Sequence, residues 1–181
     1  MAKVRTCDGR LVDPLDIRPS DVIASVMIHS LCLLNRFTGH TKHPYSVGQH
    51  TLNLVQYVPM HLKRAALIHD MQESWFNDMA SPLKAEMQAY RRAEHRAGQV
   101  VAHQLGVSQA ELDEFDSYDK SIYLNERDAL FPLIAEKGMG DDREPLPDRQ
   151  NVLRFEEVNW ATTTRHLNGL FSALFPEYPL K

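Results

Sequence analysis

The sequence predicts an all-α fold of about six helices behind a small N-terminal β-hairpin. Three observations predict it. Apolar residues recur every three or four positions through most of the chain, helix-start residues precede those stripes, and prolines and glycines fall between them. The exception is KVRTCDGRLV at 3–12, two short alternating pieces around Asp8-Gly9 that read as a hairpin.

Asp13-Pro14 and Arg18-Pro19 then break the chain, and Ser20 reads as the N-cap of a first helix with Val22, Ile23, Val26, Met27, Leu31 and Leu34 on one stripe. After the loop 36–45, Ser46 and Gln49 form a capping box that opens a second helix, ended by Pro59. Residues 60–75 predict a third helix. Ser81-Pro82, with Ser as N-cap and Pro at the first helical position, starts a fourth that runs to Leu105 and ends at Gly106. Ser108 and Glu111 form a second capping box, followed by a stripe of Ile122, Tyr123 and residues 129–133. Residues 137–148 read as an irregular loop, and 152–174 as a final helix carrying Phe155, Val158, Trp160 and Leu167. With 181 residues and no linker or repeat, residues 1–181 predict one domain large enough to bury a core.

Composition narrows the partners. A net charge of −4 gives no broad basic footprint, which argues against duplex nucleic acid, while small anionic ligands fit local lysines and arginines. Cys7 and Cys32 lack metal-site spacing and read as reduced thiols; with no signal-peptide pattern and no membrane-length apolar run, the expectation is a cytoplasmic protein without a membrane partner.

The chemistry concentrates in AALIHDMQESWFNDMASPLK, residues 65–84. On a helix His69 and Glu73 share a face, and Asp70 is rotated from them by about 100°. An ion beside the helix can therefore take imidazole nitrogen and carboxylate oxygen together, a donor mixture that suits zinc, manganese, iron or cobalt, with magnesium as the harder limit. His50, in the first turn after the Ser46 capping box, is a third ligand candidate aimed by a rigid element. Arg36 offers phosphate a planar fork or forms a surface salt bridge, and Phe37 offers a base a stacking face or the core an aromatic. Lys84 stands where a helix start favours an anion, or else on a solvated face. Asp113, Asp116 and Asp119 recur every three residues, with Glu126 further along.

His50 in SVGQH, His69-Asp70 in HDMQE, Asp78 in NDMASPLK and Asp119 in DKSIYLNERDAL together resemble the H…HD…D pattern of the HD-domain phosphohydrolases. The likeness extends to DIRPSDV and NRFTGHTKHPYSVGQH and covers roughly residues 8–135. It is similar to the compact phage and bacterial subgroup of deoxynucleotidases and dATP triphosphohydrolases. The resemblance implies an HD-domain helical bundle in which His50, His69, Asp70 and Asp119 ligate a divalent ion (zinc, cobalt, manganese or magnesium). Glu73 and Asp78 would manage protons, and Arg36, Phe37 and Lys84 would contact the nucleotide. Asp116 departs from relatives that carry lysine there. The implied reaction is metal-dependent hydrolysis of a deoxynucleotide by a homo-oligomer, with dATP giving deoxyadenosine and triphosphate as the first expectation. Hydrolysis of deoxynucleoside monophosphates is the alternative; hydrolysis of a signalling nucleotide, or nucleotide binding without turnover, are further readings.

Overall fold

A computed structural model of the chain describes residues 3–131, 143–147 and 151–180. The fold is all-α behind a two-stranded hairpin, β1 (Val4–Arg5) and β2 (Leu11–Val12), antiparallel with Val4 opposite Val12. Gly9 turns this hairpin at φ +87°, a conformation that glycine adopts without steric cost.

Eight α-helical segments follow among the described residues, because two of the six expected helices are each broken in two. The first, α1, spans Ala24–Leu31. It does not begin at Ser20: Asp21 Oδ2 accepts the Arg18 backbone N–H at 2.9 Å and closes a separate turn, Pro19–Asp21, after which the chain is extended at Val22 and Ile23. Helix α2, Val47–Tyr57, starts at Ser46 with both halves of the expected capping box. Helix α3 is Lys63–Ile68 and α4 is Glu73–Phe76. Between them the expected continuous helix tightens: Met71 and Glu73 donate to Ile68 and Asp70, three residues back, and wind the His69-Asp70 segment more sharply than an α-helix.

The second break divides α5, Ser81–Glu86, from α6, Gln88–Gln104, at Met87, whose φ −103° and ψ 71° leave the helical region. Ala80, not Ser81, is the N-cap of α5, and Pro82 falls one position later than expected. Helix α7 runs Gln109–Leu130 from a complete Ser108–Glu111 capping box. Helix α8 is Trp160–Leu174, capped by Asn159, whose Oδ1 accepts the Ala161 N–H at 2.9 Å.

Residues 152–159, expected as helix, instead lie non-helical over α2. Their backbone groups find side-chain partners there. Asn53 accepts the Arg154 N–H and donates to the Arg154 carbonyl, both at 2.9 Å, and Gln49 Nε2 donates to the Glu156 carbonyl at 3.2 Å. Of the expected loop 137–148, only 143–147 is described, and the apolar stripe is described only as far as Phe131.

Helices α2, α3 and α8 pack on one another around Leu54, Val55, Ala65, Ala66, Leu67 and Leu167, all at most 1% exposed. Gly48 brings α2 against Cys32, and a Cβ there would stand 2.6 Å from the Cys32 sulfur. The close approach fixes the start of α2, two residues before His50. Among the described residues no helix is long and apolar enough to cross a membrane.

Candidate metal centre

Three chain segments deliver the centre. His50 projects from the first turn of α2, His69 caps α3, and Asp119 stands midway along α7. One ligand atom from each of the three lies within 4.8 Å of the other two. His50 Nε2 is 3.2 Å from His69 Nε2 and 3.0 Å from Asp119 Oδ1, and His69 Nε2 is 3.8 Å from the same oxygen. Asp70 Oδ2 lies beside them, 2.9 Å from His69 Nε2 and 3.7 Å from His50 Nε2.

Both imidazoles are oriented from behind. His69 Nδ1 is 2.8 Å from the Ala66 carbonyl oxygen, which only accepts, so Nδ1 carries hydrogen. The ring also leans on the buried Phe115, centroids 4.8 Å apart. His50 Nδ1 is 2.7 Å from Glu126 Oε1, a carboxylate with no exposed surface, which fixes hydrogen on Nδ1 there too. In neutral rings the two Nε2 lone pairs therefore face each other across 3.2 Å. That contact is repulsive unless a cation or a proton lies between them. An ion about 2.0–2.1 Å from each nitrogen in tetrahedral geometry sets them roughly 3.3 Å apart. The donor set fits a metal ion, and His50, His69 and Asp119 could hold one.

Without an ion, a proton takes that place. Burial and the Arg36 guanidinium disfavour the His50 imidazolium, but Glu126 and Asp119 outweigh them and raise its pKa from 6.5 to about 9. Burial alone would raise Asp119, yet the hydrogen bond to His50 and the His69 charge hold it well below the usual carboxylate range. In the metal-free protein the stability gained from protonated His50 is fully present below pH 6.5 and lost as pH rises through about 9. A metal must displace this proton. Near neutral pH each bound ion is expected to release about one proton, and apparent affinity to fall roughly tenfold per pH unit on acidification. Calorimetry in buffers of different ionisation enthalpy measures the release; a buffer-independent heat would contradict it.

The sequence left Glu126 as a distant acid on the side of Asp119. It is in fact the hub behind His50, accepting from Tyr45 OH at 3.0 Å and pairing with Arg36 Nη2 at 3.1 Å. Tyr45 in turn accepts from Asn53, the residue that anchors the non-helical segment at Arg154. The seven-residue spacing from Asp119 to Glu126 was the available sign that both share one side of α7.

The expected proton-handling acids stand nearby. Glu73, at the start of α4, is 5% exposed, and its Oε2 has no hydrogen-bond partner among the described residues. Burial, reinforced by Asp70 and Asp78, pushes its carboxyl well above the usual range against Lys84 and Arg36. Burial raises Asp78 too, with Arg36 opposing.

The expected nucleotide contacts differ more. Arg36 is turned inward on Glu126 and, at 3.9 Å, on Asp70, so its charge serves the carboxylates that surround the imidazoles. Phe37 packs edge-on against Phe131 at 5.3 Å and tilted on Tyr123 at 6.0 Å, as an aromatic cluster and not an open stacking face. Its φ of 56°, with 54° at Thr38 and 75° at Gly39, makes three left-handed residues in succession. Lys84 has no free amide, since its N–H is bonded to the Ala80 carbonyl; Nζ donates to Glu94 at 2.9 Å and lies 4.0 Å from Glu73.

A cleft of about 940 Å³ opens on the centre, with His69, Asp70, Asp119 and Lys84 on its surface and most of its remaining walls drawn from α6 and α7. Its size suits a small organic ligand.

The chain matches no protein-family model. It is similar to the uncharacterized protein YfdR of Escherichia coli strain K12, 32% identical over 107 residues, or 59% of this chain and 60% of that protein. It is also similar to an uncharacterized protein of Rhodobacter capsulatus, 32% identical over 90 residues, covering 45% of this chain and 46% of that one. The matched stretches span less than two thirds of either relative.

Proposed function

We propose that the chain is an HD-domain phosphohydrolase that uses a divalent ion to hydrolyse deoxynucleotides, dATP to deoxyadenosine and triphosphate in the first instance. The observation that carries this reading is the meeting of His50, His69 and Asp119 beside Asp70, from three distant points of the chain, at the edge of a ligand-sized cleft. A zinc, cobalt, manganese or magnesium ion held there supplies Lewis-acid charge to a phosphoryl oxygen and acidifies water.

The chain's own groups do the rest. Glu126 and the Ala66 carbonyl keep both imidazoles with Nε2 toward the ion. Lys84, at the cleft edge, offers Nζ to a phosphate oxygen. Burial pushes the Glu73 carboxyl well above the usual range, which suits it to donate to the departing oxygen, and Asp78, raised by burial with Arg36 opposing, accepts the proton of the attacking water. Hydrolysis of deoxynucleoside monophosphates needs the same groups and is the second substrate class.

The purified protein, supplied in turn with manganese, cobalt and magnesium, is expected to release a nucleoside with triphosphate, or with phosphate, from at least one deoxynucleotide. Product identification by chromatography distinguishes the two outcomes. No nucleoside, phosphate or triphosphate from any dNMP or dNTP would end the proposal.

A further inference from the structure

The cleft continues beyond the metal centre along one face of α6, where Arg91, Arg92, His95 and Gln99 recur at helical spacing; α7 faces them with Asp113 and Asp116. The two walls use their charges differently. On α7, Asp113 accepts from Gln109 Nε2 at 2.8 Å and Asp116 is paired with Lys120, so that lysine is turned onto its own helix. On α6, the side chains of Arg91 and Arg92 are exposed and have no hydrogen-bond or ion-pair partner among the described residues. Arg91 and Arg92 concentrate positive charge at one end of the α6 wall, in a cleft whose lining also holds Asp70, Glu94 (paired with Lys84), Asp113, Asp116 and Asp119.

We propose that Arg91 and Arg92, with His95, bind the phosphate chain of a nucleotide beyond the phosphoryl group at the metal centre, so that the substrate carries more than one phosphate. The assignment rests on the phosphohydrolase reading for the position of the reacting phosphate. The anion wall itself stands on the charges alone. Guanidinium groups stay charged at every working pH and match phosphate oxygens in forked pairs. Arg91 and His95 are separated by four residues, about 6 Å along the helix axis, room for linked phosphates where a single one would leave part of the wall unused. Because the arginines are hydrated before binding, the attraction is screened by salt.

Isothermal titration of the full chain with inorganic triphosphate and with orthophosphate tests this directly, beside the double variant R91E/R92E. Both positions are exposed, so the variant's melting temperature should match that of the parent. The parent is expected to bind triphosphate about tenfold or more tighter than orthophosphate, and the variant to lose about tenfold or more for triphosphate while orthophosphate changes by about twofold or less. Equal affinity of the parent for the two anions, or an unchanged triphosphate affinity in the variant, overturns the proposal. Since binding needs no turnover, a protein that hydrolyses nothing yet shows the expected triphosphate loss keeps the anion wall and discards the phosphohydrolase reading.

Discussion

Glu126→Ala is expected to lower folding stability by about 3–5 kcal/mol, the usual cost of removing one partner from a buried ion pair. It is also expected to weaken metal binding by about 10–100-fold, as loss of a carboxylate behind a metal-binding histidine does. The two effects share one cause. Glu126, fully buried on α7, joins Arg36, Tyr45 and His50, all from residues 36–50, where the loop feeds into α2. Its removal leaves the Arg36 guanidinium buried against fewer negative charges and lets the His50 ring choose its own tautomer. Glu126→Gln keeps the volume and an acceptor for His50, so it separates charge from shape: stability should fall because Arg36 keeps only Asp70, at 3.9 Å, while ring orientation survives in part. Urea unfolding with and without manganese, together with chelator competition, reads both effects. An alanine variant within about 1 kcal/mol of the parent, inside the range of ordinary surface changes, would remove Glu126 from its place at the hub.

Glu73→Gln addresses chemistry without touching the ion. If Glu73 supplies the proton to the departing oxygen, kcat falls by about 10²–10⁴-fold while bound metal, measured by atomic absorption, stays at the parental ratio. The amide is nearly isosteric with the carboxyl and uncharged, and burial beside Asp70 and Asp78 raises the carboxyl well above the usual range, toward its own neutral form. Any loss of activity therefore reports the missing proton rather than a missing charge. Parental kcat in a protein of parental metal content would exclude Glu73 from the reaction.

Local chemistry made much of this molecule legible in advance. Ser46 with Gln49 and Ser108 with Glu111 each satisfy backbone groups within four residues, so their helices could be located without knowing what packs on them. The hairpin around Gly9 was legible for the same reason. What escaped depends on partners far away in sequence. The extended path of residues 152–159 is set by Asn53, 101 positions from Arg154, and no local pattern announces that trade of helical hydrogen bonds for side-chain ones. The break at Met87 accompanies the Lys84–Glu94 pair, which joins α5 to α6 across the bend. Arg36 could be read equally as a phosphate clamp or a salt bridge; the buried Glu126, far along the chain, settles its partner.

The left-handed run at Phe37, Thr38 and Gly39 bears on engineering. A ring-bearing and a β-branched residue there hold a conformation that costs of order 1–3 kcal/mol each, at the point where the chain delivers Arg36 to its carboxylates. Glycine at the exposed position 38 would relieve its share of that tension, and a stability screen would select it readily, whereas at 37 it would also strip the ring from Phe131 and Tyr123. The sturdier product would have a slacker hinge beneath its guanidinium, so selection for heat resistance and selection for turnover should pull position 38 in opposite directions.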